Sequence, residues 1–175
     1  SAKMLIDSFL PEGITSLAVD SIFMMPQLGV MANIENKEIA EQARVAALEV
    51  FEKDCLIRLG TCIAPVGKLS GSEIPLQVNL EFKNGEKKDI EVRYGELIRI
   101  EAEYEEIKAV LTPAKGVDVG AGDGEQISTT IFGGQVGIVF DGRGRPLEID
   151  ASSSKRISNL KKWSEAMNEY PEIGK

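Results

Sequence analysis

The chain has 175 residues, of which 43% are hydrophobic and 27% charged, and its formal net charge is −8 at pH 7. This acidity argues against binding to nucleic acid or to an anionic membrane surface, because both attract clustered lysine and arginine. Histidine is absent, which excludes a Ser-His-Asp triad and removes the commonest ligand of transition metals.

The first 30 residues predict a short apolar segment, a strand and a loop. Residues 1–3 resemble the remnant of a cleaved expression tag, so Met4 is expected to be an internal residue of a longer protein. Residues 15–20 are predicted to be a buried strand. Residues 23–28, which include two methionines, are predicted to form a loop around Pro26.

The clearest helix of the sequence is predicted over residues 36–51, with Asn36 as its N-cap. Apolar residues recur there at three- and four-residue spacing, and the resulting flat face should pack on a sheet. That face contains Ile39, Ala43, Ala46, Ala47 and Val50.

The period then changes to the alternation of β-strands. The Asn84-Gly85 pair predicts a tight hairpin, because a type I′ turn needs positive φ at both central residues. Predicted strands cover residues 55–64, 75–82, 89–93, 97–103 and 108–111.

The last third combines a glycine-rich run, residues 112–147, with a C-terminal helix. Glycine clusters mark turns between three predicted strands, residues 116–120, 126–132 and 135–140. The helix is predicted over residues 154–169, with a cap among Ser152–Ser154 and an end at Pro171. Its apolar face, with Trp163 as the core anchor, contains Ile157, Leu160, Trp163 and Met167.

These elements predict a single α+β domain over residues 1–175. We expect a mostly antiparallel, barrel-like or two-layer sheet of about eight to ten strands with two flanking helices, because strands outnumber helices and hairpin signals dominate. Cys55 and Cys62 lie in apolar sequence and are predicted to be buried free thiols; a disulfide and a redox or metal role are the alternatives. Two cysteines without a signal sequence favour the cytoplasm.

The glycine-rich run does not complete a known nucleotide motif. Its GAGDG segment misses the G-x-G-x-x-G spacing, no GKS or GKT is present, and Asp118-Val-Gly120 only weakly resembles the D-x-G phosphate loop of actin-like ATPases. Asp118, Asp123 and Glu125 offer oxygen ligands for a divalent cation, but the EF-hand spacing is missing. Solvated carboxylates in turns are the favoured interpretation.

The segment Asp141-Gly-Arg143-Gly-Arg145-Pro146 is the strongest candidate contact site. Two guanidinium groups on a glycine-framed turn are expected to be accessible, where they can bind a carboxylate or phosphate of a ligand or partner. The alternative is that Arg143 and Arg145 pair with Asp141 or nearby acids and fix the turn.

Several segments resemble one protein family. Residues 137–147, GIVFDGRGRPL, are similar to the GLIIDARGRPL signature of the MutL-type accessory proteins of glutamate (methylaspartate) mutase, which are unrelated to the DNA-repair proteins of that name. The resemblance covers most of the chain and is weakest over residues 33–53. Further similar segments are PAKGVDVGAGDG, RISNLKKW, LIDSFLPEGITSLAVD, PQLG and RYGELIRIE.

The resemblance implies a role and a partner. In this family an actin/Hsp70-like ATPase fold precedes the similar region, and the whole protein, as a chaperone or reactivase, assembles or reactivates an adenosylcobalamin-dependent mutase. The nucleotide loops of that fold are not visible here, so this chain is expected neither to bind nor to hydrolyse ATP. The resemblance therefore implies a non-catalytic docking or assembly module, a C-terminal fragment of an accessory protein, with the mutase as partner and no metal or cofactor of its own.

The alternative function is a small-ligand or nucleotide-binding domain that uses the glycine-rich loops with Arg143 and Arg145. A stand-alone enzyme is not expected, because the sequence pairs no nucleophile with a base. The sequence makes no prediction of the oligomeric state.

Overall fold

The computed structural model describes residues 2–31, 33 and 35–168. The helices of this part are α1 Ala2–Phe9, α2 Met24–Met31, α3 Lys37–Val50 and α4 Ser153–Ala166, with a π-helical turn at Phe51–Cys55 and a 3-10 turn at Leu69–Gly71. The strands are β1 Gly13–Asp20, β2 Leu56–Ala64, β3 Val66–Gly67, β4 Leu76–Glu81, β5 Lys87–Val92, β6 Leu97–Ile100, β7 Glu106–Pro113, β8 Val117–Asp118, β9 Ile127–Phe132 and β10 Gly137–Asp141. None of the helices in these described ranges has the length and apolarity that crossing a membrane requires.

The predicted α+β class is confirmed, and pairing is mostly antiparallel. One sheet has the strand order β1-β2-β10-β6, a second has the order β5-β4-β7-β9, and β3 pairs with β8. The sheets are open, so the barrel alternative is not adopted. The hairpin signals did not suggest the parallel pair of β2 with β10.

The described chain divides into two compact units. The larger unit comprises residues 2–17 and 59–168, and it contains both four-stranded sheets together with α1 and α4. The smaller unit, Ala18–Arg58, contains α2 and α3. Its core consists of Leu28, Phe51 and Cys55, with the half-buried Met24, Met31, Ala47, Leu48 and Leu56 packed around them.

Strand β10 organises the larger unit, since all five of its residues are buried. Alternation sends Ile138 and Phe140 into the core between the two large sheets. Val139 points the other way, into a second core that α1 and α4 close with Ile6, Trp163 and Met167. The order of layers is therefore sheet, sheet, helices.

Close approach of β2 and β10 requires glycine at one register position. Gly60 lies opposite Gly137, and a Cβ on Gly60 would stand 1.8 Å from the Gly137 carbonyl oxygen. The backbone of Gly60 also has φ +135°, which other residues rarely adopt.

Most predicted elements are confirmed. The predicted hairpin β4–β5 is present and Gly85 has φ +84°, but Asn84 lacks the positive φ of the predicted type I′ turn. The Asn36 side chain accepts a hydrogen bond from the Ile39 N–H at 3.2 Å and caps α3. Cys55 and Cys62 are buried and free.

The predicted loop over residues 23–28 is wrong, because α2 occupies Met24–Met31. Pro26 falls in the first turn of this helix, where a backbone N–H would have no intrahelical partner and its loss costs nothing. The Asp20 carboxylate accepts hydrogen bonds from the N–H groups of Ile22 and Met25, at 3.1 and 2.8 Å, and so begins the helix.

The apolar face predicted for the last helix is only half right. Trp163 and Met167 are buried, and Trp163 also donates from Nε1 to the Gly95 carbonyl at 2.8 Å. Ile157 and Leu160 are exposed instead, because α4 packs on the sheet only through its C-terminal turns. The helix ends at Ala166, three residues before the predicted end at residue 169, and Pro171 lies outside the described residues.

Replacing Trp163 with alanine should lower the free energy of unfolding by about 3–5 kcal/mol, because a large buried ring and its hydrogen bond are lost. Leu160→Ala, three residues earlier on the same helix, should cost less than about 1 kcal/mol. Urea unfolding followed by the fluorescence of the single tryptophan in the wild type, and by circular dichroism in the variants, measures both. Equal losses for the two variants would contradict the burial of Trp163.

Candidate functional site

The turn that follows β10 is built around a buried carboxylate. Asp141 ends the strand and is fully buried, on the same side of the sheet as Val139. Gly142 must be glycine, since a Cβ there would lie 2.3 Å from the Arg93 carbonyl oxygen. The chain then folds back so that two arginines meet the Asp141 carboxylate.

Arg143 and Arg145 both hydrogen-bond to Asp141. Nε and Nη2 of Arg143 each donate to this carboxylate at 2.8 Å, and Nη2 of Arg145 donates at 2.9 Å. The backbone N–H of Arg143 adds a fourth bond at 3.1 Å. The expectation of accessible guanidinium groups is wrong, because the two side chains are only 1% and 3% exposed.

The cluster extends to the helices that cover the sheet. Nη2 of Arg143 lies 2.8 Å from a carboxylate oxygen of Asp7 on α1, and Lys3 pairs with the other oxygen of Asp7. The guanidinium carbon of Arg143 is 5.0 Å from the ring centroid of Trp163 on α4, a cation–π distance. Nε of Arg145 donates to the Pro11 carbonyl at 3.0 Å.

We name this set the arginine cluster: Lys3, Asp7, Asp141, Arg143, Arg145 and Trp163. Sequence reasoning placed Asp141, Arg143 and Arg145 together but missed Lys3 and Asp7. These two belong to a helix more than 130 positions away in the chain, and no local pattern marks them as partners of the turn.

Electrostatics keep the arginine cluster charged. Burial alone would raise the pKa of Asp141, but the hydrogen bonds and charges of Arg143 and Arg145 outweigh it and hold this pKa below its ordinary value. Burial works against the charge of Arg143 as well, yet Asp141 and Asp7 raise its pKa. The pKa of the neighbouring Cys62 rises to about 12 through burial and the Asp141 charge, so this thiol is not a nucleophile at neutral pH.

The carboxylates of the glycine-rich run serve their own loop. Asp118 accepts hydrogen bonds from the N–H groups of Gly120 and Gly122, at 2.6 and 2.9 Å, which lower its pKa. Asp123 accepts from the Gly116 N–H. Across the described residues no group of three acidic or cysteine side chains is placed to hold a metal ion.

A cleft of about 680 Å³ adjoins the arginine cluster. Tyr94, Glu96, Asn159 and Lys162 line it, with Trp163 at its base. Its volume is within the range of small-ligand pockets.

The smaller unit exposes an unusual amount of apolar surface. It has less than a quarter of the residues of the chain, yet it contains nine of the sixteen large hydrophobic side chains exposed among the described residues. These nine are Val19, Ile22, Phe23, Met25, Val30, Ile39, Val45, Val50 and Ile57. Single exposed apolar residues are normal, but such a concentration is typical of interaction sites.

The turn between β1 and α2 presents part of this surface. Phe23 is 78% exposed and has φ +61°, an uncommon conformation for a bulky residue. Asp20 holds the turn through the backbone bonds described above, and these bonds outweigh desolvation and lower its pKa. The hydrogen bonds of Asp20 therefore hold Phe23 in its strained and exposed conformation.

Helix α3 contributes a stripe at seven- and four-residue spacing: Ile39, Ala46 and Val50 are all exposed. The prediction that the face with these residues packs on a sheet is therefore wrong. The helix instead buries Ala40 and packs on α2 with Ala47 and Leu48, whose side of the helix is rotated from the stripe. We call the turn residues Ile22, Phe23 and Met25, Val30 of α2 and this stripe the apolar surface.

Comparisons of the chain with protein-family models, with curated proteins and with solved structures find no match. The resemblance to mutase accessory proteins therefore rests on the sequence segments alone.

Replacing Arg143 and Arg145 together with glutamine should lower the free energy of unfolding by about 3–5 kcal/mol or more, because Asp141 is left buried without a counter-charge. The exposed Arg93 also forms ion pairs, and Arg93→Gln should cost less than about 1 kcal/mol. Chemical denaturation compares the variants. A double variant as stable as Arg93→Gln would show that the cluster does not hold the fold.

The pH dependence of stability should report Asp141. A carboxyl whose folded pKa is depressed stabilises the fold above the unfolded pKa and loses this contribution as the pH falls through the folded pKa. The difference in unfolding free energy between wild type and Asp141→Asn should therefore be constant from pH 7 to about 4 and shrink by about 1.4 kcal/mol per pH unit below that. A difference that grows on acidification would contradict the lowered pKa.

Proposed function

We propose that this chain is a non-catalytic docking or assembly module, and that its partner is an adenosylcobalamin-dependent mutase of the glutamate (methylaspartate) type. The observation that carries the docking role is the apolar surface of the smaller unit. The mutase as partner comes from the resemblance of residues 137–147 and the other segments to the accessory proteins of that enzyme.

The composition of the apolar surface supports a protein partner. Phenylalanine and methionine are enriched in protein interfaces, where methionine adapts its shape to the partner. The surface includes Phe23 and Met25, and the small core of this unit leaves Val30 of α2 and Ile39 of α3 exposed. Burial of these side chains by a partner would remove this apolar area from water.

The candidate residues for chemistry are engaged inside the protein, which also supports a binding role over a catalytic one. Arg143 and Arg145 both bind the Asp141 carboxylate, and Asp118 and Asp123 bind glycine N–H groups. Their positions favour the interpretation that the turn is fixed by its own ion pairs.

The alternative, a small-ligand domain, has one observation in its favour, the cleft lined by Tyr94, Asn159 and Lys162. Thermal-shift measurements with ATP, cobalamin and small carboxylates test it. A melting temperature raised by several degrees would favour the alternative, because a ligand that binds only the folded state stabilises it.

Phe23→Asn should weaken binding to the mutase by at least about tenfold, since exposed aromatic residues are frequent binding hot spots. Stability should stay the same or rise, because asparagine tolerates the positive φ at this position. Binding is measured by biolayer interferometry with immobilised glutamate mutase, and stability by urea unfolding.

The matched control is Phe9→Asn, since Phe9 is 79% exposed but belongs to the larger unit. It should leave the affinity unchanged. Wild-type chain that does not bind the mutase would contradict the proposed partner. Equal affinities of wild type and Phe23→Asn would contradict docking through this surface.

A further inference from the structure

Strand β9 is an edge of its sheet, with β7 on one side. The register pairs Ile131 with Ile107, and the Gly133 N–H continues the ladder by donating to the Glu105 carbonyl at 3.3 Å. Hydrogen-bonded pairs alternate in an antiparallel ladder, so the odd-numbered residues of β9 bond to β7. The backbone N–H and C=O groups of Ser128, Thr130 and Phe132 therefore point away from β7.

One end of this edge is already occupied. The Thr61 hydroxyl accepts from the Phe132 N–H at 3.2 Å and donates to the Phe132 carbonyl at 2.8 Å. Nothing within the described part of the chain hydrogen-bonds to the outward backbone groups of Ser128 and Thr130, and both residues are exposed. Two donors and two acceptors remain, in the spacing of an extended strand.

The two edges of the sheet differ in charge. By the same alternation, the outward residues of β5 are Lys87, Asp89 and Glu91, all charged and exposed, and charges on an edge discourage pairing with other strands. Strand β9, with the sequence ISTTIF, carries no charge and no proline. All of its residues except Ser128 have high β-propensity, and it lacks the protection that charges give to the other edge.

We infer that the β9 edge is a dimerisation surface, on which β9 of a second copy of this chain adds antiparallel about a two-fold axis at Thr129. Ser128 of each copy then lies opposite Thr130 of the other, and four main-chain hydrogen bonds form. Thr129 faces Thr129, so every cross-strand pair is neutral. A corresponding axis at the inward-bonded Ile90 of β5 would place Asp89 of each copy opposite Glu91 of the other.

Charge also favours this edge for two identical copies. Each copy carries a net charge of −8, so two copies repel each other least where a surface has no charge. A two-fold axis closes the assembly at two copies. The Thr61 cap limits the pairing to four hydrogen bonds, so the interface is small and the dimer weak, with a dissociation constant on the order of 100 µM.

Sedimentation equilibrium of the full chain tests the inference at concentrations from about 10 to 500 µM, which span the expected dissociation constant. The mass should rise with concentration from 19.0 kDa toward twice that value. Thr130→Pro removes only an outward N–H, which an edge strand tolerates, and should weaken the dimer at least about tenfold. The matched control Asp89→Pro removes an outward N–H at the other edge and should leave the dimer unchanged.

Two further measurements test the inference without relying on correct folding of the proline variants. The double variant Ser128→Lys with Thr130→Lys places lysines opposite each other across the axis and should abolish the dimer. In the wild type, hydrogen exchange at the Ser128 and Thr130 amides should slow as the concentration rises. A wild type that stays monomeric at 500 µM, a dimer insensitive to the lysine pair, or concentration-independent exchange at both amides would each overturn the inference.

Discussion

The ion pairing of Asp141 with Arg143 and Arg145 is the constraint on which the larger unit depends. A carboxylate buried to 0% exposure is tolerated only if opposite charges and hydrogen bonds replace its water. Arg143 and Arg145 supply both; Nη2 of Arg143 also pairs with Asp7, and Arg145 also donates to the carbonyls of Pro11 and Gly144. The same contacts that neutralise the carboxylate therefore tie the N-terminal segment to the end of β10.

Burial of β10 on both faces explains why that tie is needed. One face of the strand enters the core between two sheets, so the other must be covered by helices. Helix α1 is short and buries only Ile6 completely, and α4 packs through Trp163 and Met167. Only a few apolar side chains attach the helical layer to the sheet. The arginine cluster strengthens this attachment, because Arg143 contacts Asp7 of α1 and Trp163 of α4.

The smaller unit shows the opposite balance. Its core is small, while Phe23, Val30 and Ile39 are more than half exposed. Such exposure gives up stabilisation that burial of the same side chains would provide. A binding partner of the proposed kind would recover it by burying these side chains. The arginine cluster differs from the apolar surface in that its charged groups are buried and contact one another.

The sequence by itself determined the α+β class, the Asn84-Gly85 hairpin, the Asn36 cap and the burial of Trp163, because each depends on local period or on the backbone preference of one or two residues. It could not decide which face of α3 is buried, since Ala40, Ala46 and Ala47 are equally apolar. It also could not decide between a ligand role and a structural role for Arg143 and Arg145. The contact of Arg143 with Asp7 and the depth of Asp141 bear on that choice, and only the tertiary structure brings residues so far apart in the chain into contact.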